Sequence, residues 1–139
     1  MNSTSQLDRV DARSTLNLPL FGVLGVLAWA IGVLFIRFAG GTFFVEGSPW
    51  LVGLYGLTIP GVWLLVKGLA LATKLSGVEI VLAIVIMNAT ATLFDGVAIA
   101  WMPSLYDLPL SAHLLAAAYL LWFVGLTLWF SFGLSHSES

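Results

Sequence analysis

Any chemistry in this chain starts from one carboxylate. Asp95 lies inside an apolar run, Val78–Trp101, that also carries Asn88, Thr90 and Thr92. An aspartate at the centre of a membrane-crossing helix costs about 2.5–3.5 kcal/mol on insertion scales, so a partner within the fold is expected. Asn88, Thr92 and Asp95 stand at i, i+4 and i+7 and share one helical face, a polar stripe on an otherwise apolar element. Counting about 1.5 Å per residue from the outer ends of the runs puts Asp95 about 9 Å deep, Tyr55 about 8 Å and Tyr119 about 10 Å. Either phenol can then donate to the carboxylate. Arg37 ranks second as partner, because a surface guanidinium would have to reach inward from a helix expected to lie diagonally across the bundle.

The same count places Trp29, Thr92 and Trp122 in a deeper layer, with Asn88 and Trp63 near the midplane. Trp29, Trp63 and Trp122 therefore form a candidate aromatic pocket. Two readings stand side by side. In one, the interior is a site, either a proton-titrating acid or a pocket that clamps an amphipathic ligand between rings. In the other, the polar side chains bond across helices as packing glue, each worth about 0.6 kcal/mol on average. Trp50, Trp101, Tyr106 and Trp129 read as an aromatic belt at the two interfaces. His113, at a helix start near the surface, reads as solvated.

Enzyme signatures are not evident. No histidine pair has metal-ligand spacing, no glycine-rich phosphate loop precedes a helix, and no serine–histidine–acid set stands out. With zero cysteines, disulfides, thiolate metal sites and cysteine nucleophiles are excluded. The expectation is a protein with no catalytic residue, no metal and no cofactor.

The elements that must position these residues follow from composition. Of 139 residues 60% are hydrophobic and 9% charged, where a soluble domain carries roughly 25% charged residues. The solvent must be lipid, and backbone groups must then be satisfied internally. Runs of around 20 apolar residues without alternation read as helices. The formal charge of -2 and five scattered basic residues offer no footprint for nucleic acid.

Four spans are expected, at about 20–38, 50–71, 78–101 and 112–132, within a transmembrane domain 18–133 flanked by polar tails 1–17 and 134–139. Asn17 with Pro19, and Ser48 with Pro49, are helix starts. Gly40-Gly41 and Gly133 are stops, and the Phe43-Phe44 pair after the first stop is placed at the interface. Ser76-Gly77-Val78-Glu79 matches a capping box, and Ser111 can cap the last helix. Lys67 can pair with Glu79 at the same surface. Small residues Gly25, Ala28 and Gly32 mark a close-packing face. Pro60 in the second span frees the Gly56 carbonyl, which implies either a hinge or a tolerated bend. The first run, 18–38, exceeds a signal-peptide core and reads as an uncleaved span. Short links imply an up-down bundle in which sequence neighbours pack antiparallel. Arg9, Arg13, Lys67 and Lys74 lie on the side of the termini, against Arg37 alone opposite, so both termini are expected in the cytoplasm.

Phe94-Asp95-Gly96-Val97-Ala98, continuing to Trp101-Met102-Pro103-Ser104-Leu105-Tyr106, resembles a family of small four-span bacterial membrane proteins of unknown function. The resemblance in layout covers about residues 18–132, and its specific parts are Asp-Gly-x-Ala and Pro-x-x-Tyr. It implies that Asp95 and Pro103 belong to the pattern and offers no activity. Small multidrug transporters are similar in size and are four-span dimers, but they use a first-span glutamate, and the first span here has no acid.

The sequence thus points to an all-α, polytopic membrane protein of the bacterial inner membrane. Its expected role is to bind a hydrophobic ligand or to join a membrane complex. Its expected partners are membrane lipid, a hydrophobic small molecule, further copies of itself or a membrane complex, and not nucleic acid. The alternative is a small proton-coupled transporter using Asp95.

Overall fold

A computed structural model describes residues 16–137; most of the N-terminal tail lies outside the described residues. The chain forms four long helices, α1 (Leu18–Phe43), α2 (Pro49–Thr73), α3 (Val78–Trp101) and α4 (Leu110–Ser137), with a 3-10 turn at Pro103–Leu105 between the last two. Each long helix has the length and apolarity to cross a membrane, with mean hydropathy from 1.5 to 2.3. The fold is an all-α four-helix bundle.

Local chemistry sets most of the boundaries. Asn17 Oδ1 accepts from the Leu20 N–H at 3.2 Å, with Pro19 in the first turn. Ser48 Oγ accepts from the Trp50 N–H at 3.2 Å, and Pro49 opens α2. Both caps follow from a short polar side chain standing before proline. The other ends depart from expectation. Gly40-Gly41 does not stop α1, which runs to Phe43, and Phe44 is buried at 1% exposure instead of resting at the interface. Ser111 lies inside the first turn of α4, which begins at Leu110, and the helix continues through Gly133 to Ser137. The capping box is also not formed by its serine. Gly77 caps α3 at φ 56° with no side-chain cap bond, and the Glu79 N–H bonds the Ser76 carbonyl at 3.1 Å. The left-handed turn at Gly77 brings the Ser76 carbonyl, not its hydroxyl, to the helix start.

Packing corrects the adjacency expected from short links. α1 makes its broadest contact with α3, α2 packs on α4, and α3 packs on α4, while α1 touches α2 only sparsely. The ring order is therefore α1–α3–α4–α2, so α1 neighbours α3 instead of lying diagonal to it. Gly25 explains the α1–α3 approach: a Cβ there would stand 2.7 Å from the Met87 carbonyl oxygen and 2.9 Å from Thr90 Cβ. Only glycine allows backbones that close. Gly32, on the same expected face, has nothing within 4 Å, and Ala28 is exposed. The core divides into two clusters. One, at the end holding the α3–α4 connection, is built on Val33, Ile36, Phe44, Ala98, Tyr106 and Ala116. The other, at the opposite end, is built on Val62, Val66, Ile80 and Ile84.

Candidate functional site

Asp95 is half-buried on α3, and its Oδ1 accepts from the Tyr106 hydroxyl at 2.8 Å. Neither Tyr55 nor Tyr119 is that donor. Tyr106 is buried at 1% exposure, so it is not a member of the interfacial belt. Met102 ends α3, Pro103 begins the 3-10 turn, and the turn folds the Tyr106 side chain back under the helix it has just left. Burial, and then the hydrogen bond and charge of Asp95, push the Tyr106 phenol well above its ordinary range.

Three more side chains surround this pair. The His113 ring meets Tyr106 edge-on, centroids 5.3 Å apart at 77°. His113 is half-buried, not solvated, and its Nε2 is enclosed without a hydrogen-bond partner. Trp29 packs on Phe94 at 5.1 Å, and its indole N–H sits against Asp95 and Tyr106 without completing a hydrogen bond. Arg37 reaches the same turn but not the carboxylate. Its Nη1 donates to the carbonyls of Leu105 at 3.2 Å and Ser104 at 3.4 Å. A guanidinium near the surface thus satisfies carbonyls that the short turn leaves open.

The rest of the polar stripe disperses. Asn88 Nδ2 donates to Thr127 Oγ1 at 2.7 Å, tying α3 to α4. Thr92 is exposed, and Thr90 bonds its own helix at the Ile86 carbonyl. The stripe separates because one face of α3 spans both the α4 contact and the edge of the bundle. The three tryptophans do not share a pocket either. Trp29 sits between α1 and α3, Trp122 stacks on Tyr55, and Trp63 lies under the Lys67 ammonium at 4.6 Å. Lys67 therefore makes a cation–π contact with the face of its neighbour one turn back. Trp50, Trp101 and Trp129 are 63%, 76% and 76% exposed.

A different aromatic assembly takes the place of the expected pocket. Phe43 touches Trp50 and Phe35 with centroids 6.5 and 6.0 Å apart, and Phe35 touches Tyr119 at 6.5 Å. Tyr119 meets Tyr55 edge-on at 5.6 Å, and Tyr55 stacks on Trp122 at 5.7 Å and 28°. Six rings from α1, α2 and α4 thus run from one end of the bundle to the α2–α4 seam, where Trp122 is 38% exposed. Thr58 Oγ1 donates to the Leu54 carbonyl at 2.6 Å, so the 2.9 Å contact between Thr58 and Tyr119 uses the phenol as donor. Tyr55, on the same seam, forms no hydrogen bond with another described residue.

No group of histidine, aspartate and glutamate suited to a metal ion occurs among the described residues. No family model, curated protein or solved structure matches the chain at a significant level.

Proposed function

We propose that the chain is a non-enzymatic integral membrane protein of the bacterial inner membrane, with both termini in the cytoplasm, that binds a hydrophobic ligand at the seam between α2 and α4. The observation that carries this reading is the continuous run of six rings ending in Tyr55 and Trp122, stacked at 5.7 Å and half open to the surroundings. Stiff aromatic rings give a large apolar contact for little loss of side-chain freedom, and an amphipathic ligand finds both ring faces and a phenol there. The cytoplasmic placement draws on the basic residues, four on the side of the termini against one opposite.

Native mass spectrometry of the protein released from its own membrane tests the reading. The wild type is expected to retain a co-purifying hydrophobic ligand through collisional activation that strips bulk detergent. Trp122→Ala, at a partly exposed position, is expected to lose it while the four helices persist. Equal retention by both proteins contradicts the reading.

A second reading, a proton-coupled transporter using Asp95, is favoured by the two enclosed nitrogens, on Trp29 and His113, beside the Asp95–Tyr106 pair. An acid among polar groups inside a membrane bundle is a functional candidate by default. Proton uptake by proteoliposomes that stops in Asp95→Asn supports it, and uptake unchanged in that variant contradicts it.

A further inference from the structure

Tyr55 is costly where it stands unless something outside the chain meets it. It lies six residues beyond Pro49, so about 9 Å along α2. A helix of 25 residues is about 37 Å long and overhangs a hydrocarbon core of about 30 Å by a few ångströms at each end. The phenol therefore lies only about 5 Å inside the boundary. Exposed Trp50 marks the same interface one and a half turns earlier. The other hydroxyls of the seam are engaged within the chain. Thr58 bonds Leu54, Tyr119 bonds Thr58, and Asn88 bonds Thr127, whose own hydroxyl bonds the Val124 carbonyl. A phenylalanine at position 55 would keep both ring contacts without the penalty of an unpaired hydroxyl.

We propose, resting on the hydrophobic-ligand reading above, that the ligand is an ester-linked membrane glycerolipid whose ester carbonyl accepts the Tyr55 hydroxyl while an acyl chain lies along the Tyr55–Trp122 stack. Depth selects this chemistry. Ester carbonyls lie at the hydrocarbon boundary, within reach of a phenol a few ångströms below it. Hydrocarbon chains fill the level beneath, where the exposed edge of Trp122 lies. A donor with no acceptor among the described residues matches a ligand group that accepts and cannot donate.

The test presents the purified protein, in detergent, with equal amounts of diester and diether phosphatidylglycerol of matched chain length and reads retained lipid by native mass spectrometry. The ether lipid keeps the headgroup and chains but lacks the ester carbonyl. One net hydrogen bond predicts a preference for the diester of roughly 2- to 10-fold in wild type. Tyr55→Phe is expected to bring that ratio to one while total retention holds. Retention of both lipids without preference in wild type, or a preference that survives Tyr55→Phe, overturns the carbonyl assignment and leaves the hydrophobic-ligand reading standing. Added ubiquinone retained in place of either lipid, in a Tyr55-dependent way, overturns the glycerolipid in favour of a ring carbonyl. Retention of neither lipid nor quinone overturns both the assignment and the reading it rests on.

Discussion

The hydroxyl of Tyr106 donates to Asp95 Oδ1 across 2.8 Å and so ties the α3–α4 connection to the helix that precedes it. Arg37 holds the same connection from α1 through the carbonyls of Ser104 and Leu105. The α3 acid therefore has an architectural task, anchoring a turn that joins three helices.

This anchor predicts an order of stabilities. Tyr106→Phe leaves the Asp95 carboxyl without its donor and is expected to cost about 1–3 kcal/mol. Asp95→Asn keeps an acceptor for the phenol and is expected to unfold close to wild type. Asp95→Leu strands the buried Tyr106 hydroxyl and is expected to be the least stable of the carboxyl variants. Unfolding in mixed micelles, followed by circular dichroism, ranks the three.

The same pair predicts an alkaline limit. The folded Tyr106 phenol is held above its ordinary value of 10.0, first by burial and then by Asp95. Above that ordinary value the unfolded chain gives up its phenolic proton before the folded chain does, so the unfolded state binds fewer protons and stability falls as pH rises. Below it this contribution is fully present. Thermal midpoints measured from pH 8 to pH 11 are expected to fall more steeply for wild type than for Tyr106→Phe. Parallel curves would contradict the assignment.

Gly25 and Gly32 separate close approach from composition. A Cβ at position 25 would meet the Met87 carbonyl oxygen at 2.7 Å, and at position 32 it would meet nothing within 4 Å. Gly25→Ala is expected to cost about 1–3 kcal/mol through displacement of α1 from α3. Gly32→Ala is expected to be neutral or slightly stabilising, since alanine is the better helix former by about 1 kcal/mol. The same unfolding measurement distinguishes them.

The start of α3 yields a prediction opposite to the one its sequence motif implies. With the Glu79 N–H bonded to the Ser76 carbonyl and no side-chain cap bond, Ser76→Ala is expected to stay within about 0.5 kcal/mol of wild type. A loss of about 1 kcal/mol or more would restore the serine cap.

What was legible in the sequence, and what was not, divides along physical lines. The four spans were legible because hydrocarbon thickness sets a minimum apolar length, and the Asn17 and Ser48 starts because a capping side chain before proline is a local signal. Helix adjacency was hidden. In lipid the outer surface is as apolar as the core, so Leu57, at 72% exposure, and buried Val66 look alike in the sequence. Only Gly25 carried a trace of the α1–α3 contact, and Gly32 carried the same trace without one. Tyr106 was missed because an aromatic residue just past a helix end fits an interfacial belt. The available signal was Pro103, which opens a tight turn able to return Tyr106 toward Asp95. The ring run was missed because depth along separate helices says nothing of which faces meet, and Phe35, Phe43 and Tyr119 come together through the α1–α4 diagonal.

Photo-crosslinking tests the hydrophobic-ligand seam most directly. A phosphatidylglycerol carrying a diazirine near the ester end of one acyl chain is incorporated into nanodiscs with the wild-type protein, irradiated, and the adducts are mapped by peptide sequencing. A bound lipid at the α2–α4 seam predicts adducts concentrated on Tyr55, Trp122 and their immediate neighbours, and depleted there in Trp122→Ala. Adducts spread evenly over the exposed leucines and valines of all four helices, with no excess at Tyr55 and Trp122, would contradict it.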